Sequence, residues 1–115
     1  MKKLTLVLLT AVALSAFAAD TKVQGYLVDI ACASEEGQRA NFGVKHSREC
    51  LQMPDCAKSG YGLLTDDKKI IKFDAASNEK AKQFIADMKK NNDIKVNVTG
   101  TMNGERMTVS KIELQ

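Results

Sequence analysis

Between residues 32 and 56 the chain carries all three of its cysteines, Cys32, Cys50 and Cys56, its only histidine, His46, and its only proline, Pro54, with Met53 beside it. Three chemistries use such a set. The first is a disulfide with one spare thiol. A bond from Cys32 to Cys50 or Cys56 would tie this stretch to the segment before it and is worth on the order of 3 kcal/mol by loop closure. A Cys50 to Cys56 bond would pin only a local turn, and spacing alone leaves the pair open. The second is a metal. Cys32, His46, Cys50 and Cys56 form the Cys₃His set of tetrahedral zinc, and Met53 makes the set rich enough in sulfur for copper(I). On one continuous helix His46 and Cys50 share a face, as do Cys50 and Met53. The third is a reactive thiol: with Ser47 as helix cap, Cys50 falls in a first turn beside Arg48 and His46, which favours the thiolate.

The compartment bears on all three. Lys2 and Lys3 precede an apolar run from Leu4 to Leu14, and Ala16 and Ala18 follow as an A-x-A site. Residues 1–18 therefore read as a secretory signal peptide, too short to span a bilayer, which needs roughly 20 apolar residues. The expected location is periplasmic or secreted, where cysteines are commonly paired. Unprotected thiols are disfavoured there, which makes copper the preferred ion over zinc. No C-x₂-C or H-x₃₋₅-H pair supports a zinc finger.

The full chain has 17 basic and 14 acidic residues, a net charge of +3. Removing Lys2 and Lys3 with the signal leaves 15 against 14, or +1. Nucleic-acid binding, which draws on clustered positive charge, loses its support, and no second apolar stretch offers a membrane span. Residues 19–115 suffice for one small domain, of a size that often needs a cross-link or a metal.

Elements must position the cysteine stretch. Lys22 to Ile30 is rich in β-branched and aromatic residues, with Tyr26, Val28 and Ile30 on one face, and reads as a strand. Tyr61 to Thr65 and Lys69 to Phe73 flank a polar turn, and Ile94 to Met102 and Glu105 to Leu114 flank Asn103-Gly104, a tight-hairpin signal. That second hairpin pairs Val98 with Val109 and strands Ile112 on the wrong face unless a bulge intervenes near Ser110 and Lys111. Between the hairpins, Ala81, Phe84, Ile85 and Met88 recur at helical spacing, so Asn78 to Lys90 reads as a helix capped by Ser77. Lys80, Lys82, Lys89 and Lys90 form its solvated face.

Five strands with a helix between the third and fourth is the order of an OB-fold, a five-stranded Greek-key barrel. The expected fold class is thus mostly β, a small OB-like barrel, with a helix packed on an antiparallel α+β sheet as the alternative. The insertion, 31–60, occupies the loop from strand 1 to strand 2, an edge of the face such barrels use for ligands.

The blocks Gly25-Tyr26-Leu27-Val28-Asp29, Cys32, His46, Cys50, Cys56, Gly62-Leu63-Leu64-Thr65-Asp66 and Val96-Asn97-Val98-Thr99-Gly100 together resemble a loose group of small exported, uncharacterised bacterial proteins. The resemblance implies export and an OB-like barrel with a Cys/His-containing insertion after the first strand. It implies no activity, substrate or catalytic residue.

Within the insertion, Ser47 to Met53 reads as a short helix stopped by Pro54, and Phe42 as an apolar anchor. Met88, Met102 and Met107 read as packing rather than as a copper box, and Tyr61 as a core or rim aromatic. Asp29 reads as a surface turn carboxylate, its other roles being to assist a metal or orient His46. The expectation is an exported, non-enzymatic binding module for an unknown protein or small ligand, its candidate copper or zinc site being Cys32, His46, Cys50, Met53 and Cys56. The competing expectation is a disulfide-stapled envelope adaptor without metal. A thiol enzyme comes third.

Overall fold

The computed structural model describes residues 20–115; the expected signal peptide, 1–18, lies outside them. Strand β1 (Thr21–Asp29) runs directly into α1 (Ile30–Glu36), and the insertion continues through α2 (Phe42–Lys45), α3 (Arg48–Gln52) and α4 (Pro54–Lys58). Strands β2 (Tyr61–Leu64) and β3 (Ile70–Phe73) follow, then α5 (Ala75–Asp87) and the hairpin of β4 (Lys95–Asn103) and β5 (Arg106–Leu114). Helices claim nearly as many residues as strands, so the domain is mixed α+β and the mostly β expectation is corrected. The excess is the insertion, expected as loop with one short helix and found as four.

The strands pair as a closed ring in the order β1-β2-β3-β5-β4. β1 lies antiparallel between β2 and β4. Closure comes from a short parallel contact of β3 with β5, Lys72 opposite Arg106 and Phe73 opposite Met107. In the β4/β5 hairpin the turn falls on Gly104 and Glu105, one residue later than the Asn-Gly signal indicated, because Asn103 still pairs with Arg106. The register breaks between Thr99 and Gly100, opposite Lys111 and Val109, so Ser110 is the extra residue. The bulge lies where the stranded Ile112 required it, and it pairs Val98 with Ile112 instead of Val109.

β1 feeds two apolar clusters. Leu27 joins Leu63, Phe73, Val96, Val98, Met107 and Val109 in the main core, closed by Ala81, Ile85 and Met88 of the α5 segment and by Leu51 of α3. Tyr26 and Val28, on the other face, pack with Ala33, Phe42 and Leu64 beneath the insertion. A strand buried on both faces reads as a nearly continuous apolar run, without the alternation that marks a half-exposed one. Phe42 is the expected anchor, 8% exposed. Its neighbour Gly43 sits against the Tyr26 ring, where a Cβ would collide with ring carbons, so only glycine lets α2 approach β1.

α5 begins three residues earlier than its apolar stripe indicated. Its cap is Asp74, whose Oδ1 accepts the Ser77 N–H at 2.9 Å, while the expected cap, Ser77, is buried and accepts the Val109 N–H through Oγ at 2.7 Å. The helix ends at Asp87; Met88 is its extended C-cap and still reaches the core. Lys80, Lys82 and Lys89 are solvated. No helix among the described residues is long and apolar enough to cross a membrane.

Candidate functional site

The site is built on the junction of β1 with α1. Asp29 is the last residue of β1 and, with extended backbone, the N-cap of α1: its Oδ2 accepts the Cys32 N–H at 2.9 Å. An N-cap carboxylate satisfies one of the amides that a helix start leaves open. Unlike the expected surface turn carboxylate, Asp29 is fully buried. Its Oδ1 lies 2.6 Å from His46 Nε2. Burial pushes the Asp29 carboxyl up, but the His46 contact and the Cys32 N–H more than offset this and hold it below its ordinary range. An ionised carboxylate only accepts, so Nε2 carries the proton and donates.

His46 is held from three sides. Its N–H donates to the Phe42 carbonyl at 2.9 Å, its ring lies 4.8 Å from the Phe42 ring at 30°, and its Nε2 is on Asp29. The residue has extended backbone as the C-cap of α2, and α3 begins only after Ser47. His46 and Cys50 therefore do not share one helix, which corrects the one-turn spacing read from sequence. Ser47 is the expected cap and its Oγ accepts the Cys50 N–H at 3.1 Å.

Cys32 and Cys56 come together. Their sulfurs are 4.0 Å apart, although 24 residues separate them in the chain. Cys32 comes from the first turn of α1 and Cys56 from the middle of α4. Two hydrogen bonds set this approach: Ile30 N–H to the Gly60 carbonyl at 2.9 Å, and Ala31 N–H to Ser59 Oγ at 3.0 Å. Pro54 serves as N1 of α4, a position without an amide to lose, so it starts a helix as well as ending one. All three cysteines are free thiols.

One donor atom each from Asp29, Cys32 and Cys56 lie within 4.8 Å of one another. Among the described residues, His46 and Cys50 stand outside this cluster. Cys50 instead lines a surface recess with Phe42, Lys45 and His46, and Met53 is 52% exposed between α3 and α4. The five-residue ligand set is thus divided: two cysteines meet over a carboxylate, the histidine orients that carboxylate, and Cys50 and Met53 face elsewhere. The residue missing from the set was Asp29. Its signal was local, an Asp three residues before Cys32 at a strand end, the spacing of a helix N-cap.

Without an ion, electrostatics around the pair oppose the thiolate form. Burial and the Asp29 carboxylate push the Cys32 thiol up to about 12. Burial and Asp29 raise Cys56 as well. Attack requires the thiolate, and among the described residues no hydrogen bond joins either thiol to His46, whose Nε2 is on Asp29. Beside the cluster, Tyr61 is buried and its hydroxyl donates to the Leu51 carbonyl at 2.7 Å, fastening α3 to β2.

No family model, curated protein or solved structure matches the chain.

Proposed function

We propose that the protein is an exported, non-enzymatic binding module that takes up a divalent ion of the zinc class through Cys32, Cys56 and Asp29. The observation that carries this reading is the 4.0 Å separation of the two sulfurs above the buried Asp29 carboxylate. Two thiolates sharing a tetrahedral zinc at about 2.3 Å lie roughly 3.8 Å apart, close to the spacing found. An oxygen donor in place of the expected Met53 moves the preference from copper(I) to zinc, because copper(I) selects soft sulfur ligands. His46 then acts as the support of a ligating carboxylate, a role that outer-shell groups commonly fill. Each Asp29 oxygen engaged by His46 or Cys32 retains a lone pair for an ion.

The finer fold reading belongs with this one. The strand order β1-β2-β3-β5-β4, with α5 between β3 and β4, supports an OB-like barrel. The cluster then sits in the β1 to β2 connection, where such barrels commonly meet ligands. Export rests on the apolar run and A-x-A site of residues 1–18.

Zinc titration of the reduced protein followed by native mass spectrometry tests the assignment. One ion per chain is expected for the wild type, for Cys50→Ser and for Met53→Leu, with loss of uptake in Cys32→Ser and Cys56→Ser. Uptake that survives both of the latter substitutions, or that depends on Cys50, would overturn it.

A further inference from the structure

Resting on the zinc reading, we propose that Cys32 and Cys56 are also a reversible disulfide, and that closing it expels the ion, so the site is gated by redox state. The two sulfurs face each other at 4.0 Å from different helices. A disulfide needs them about 2 Å apart, a shift within the reach of rotation about two half-buried side chains. The main-chain bond from Ile30 to Gly60 and the bond from Ala31 to Ser59 hold the start of α1 against the end of α4 throughout. Closure therefore requires no change in how α1 meets α4. Both thiols are partly exposed, so an oxidant can reach them.

The reaction balances with a disulfide-bearing small molecule as oxidant. In the zinc-loaded site Cys32 and Cys56 are already thiolates. They give up two electrons as their Sγ–Sγ bond forms and the ion leaves as Zn²⁺, while the oxidant's own S–S bond breaks and its two sulfurs take two protons from water to become thiols. The bonded sulfurs are no longer thiolates, and Asp29 alone remains of the three donors. A single carboxylate cannot replace that set for zinc, which is held in protein sites by three or four ligands. Cys50 takes no part: it faces the recess beside Phe42 and Lys45.

The test equilibrates zinc-loaded protein in buffers of reduced and oxidised glutathione, with released zinc read by a chromogenic indicator. Free thiols are then trapped in acid, and the bonded pair is mapped by peptide mass spectrometry. Expected is a species about 2 Da lighter than the reduced chain, with Cys32 joined to Cys56 and Cys50 trapped free. Zinc release should rise in step with that species, and reduction should restore uptake. The Cys50→Ser variant should behave identically. A bond that includes Cys50, or zinc retained by the oxidised protein, overturns the gating while leaving the zinc site standing. A Cys32–Cys56 bond that forms in a protein whose reduced form takes up no zinc overturns the zinc reading and the gating with it, and identifies a plain staple.

Discussion

Asp29 is one carboxylate serving three partners: it caps α1 through Cys32, orients His46, and offers its remaining lone pairs toward two sulfurs. Its removal strands a buried imidazole N–H and an open helix amide together. Asp29→Ala should cost about 3 kcal/mol, measured by urea denaturation with an unchanged m-value. Asp29→Asn retains an oxygen to cap α1 and should cost clearly less. If both variants unfold with the wild type, the buried pair contributes nothing. This centre was only half legible in the sequence. Cysteine and histidine stand out because they are rare, whereas an Asp at a strand end looks like the start of any turn. What separated the two cases was whether a helix followed, and the seven residues of α1 carry too little periodicity to announce one.

At the scale of elements, the legible parts are those whose pattern exceeds a turn or two. The apolar stripe of α5 and the hairpin signals located four strands and the main helix within a few residues. The Ser110 bulge followed from the apolar character of Ile112 alone. Short helices with no stripe of their own left no comparable trace, so α1, α2 and α4 went unread, and β1 was credited with one buried face although it has two. The cap of α5 was misread: Asp74 fills that role three residues before Ser77, and the serine serves the sheet. Ser77→Ala should leave the Val109 N–H unpaired in the core and destabilise by about 1–3 kcal/mol.

Asp74 makes a separate prediction in pH. Its carboxyl is held below the ordinary range by Ser77 and then by the Thr108 hydroxyl, which donates to Oδ2 at 2.6 Å. A depressed carboxylate stabilises the fold fully above its unfolded pKa, near 3.9, and that contribution is lost as pH falls toward the lowered folded value. Asp74→Ala should therefore cost on the order of 1 kcal/mol at neutral pH, with the difference from wild type shrinking below about pH 4. A constant difference across that range, followed by chemical denaturation, would mean that the cap acts without its charge.

At the scale of the whole molecule, the insertion is a second layer over one face of β1. It adds an apolar cluster of its own and is fastened by Tyr61 to Leu51, by Arg48 to the Met88 carbonyl at 2.8 Å, and by His46 to Asp29. Joining Cys32 to Cys56 would close a loop of some two dozen residues across this layer, worth about 3 kcal/mol in the chain-entropy model. For a domain of this length the oxidised form should melt on the order of 10 °C above the reduced form, which paired calorimetric scans would show. Gly43→Val should shift the layer by driving a side chain into the Tyr26 ring, lowering the melting temperature whatever the state of the thiols.

The ring of strands also has a hinge line. Between β3 and β5 only two residue pairs meet, whereas β1 pairs along its length with two neighbours. Fluctuations that open a closed sheet start where the fewest bonds must break together. The amides around Phe73 and Met107 should accordingly exchange with deuterium before those shared by β1 and β4. Since β1 stands across the ring from that line, the sheet should open at that side before the junction that carries Asp29 and Cys32 is disturbed. A ligand held there would be insulated from the most frequent motion of its own scaffold.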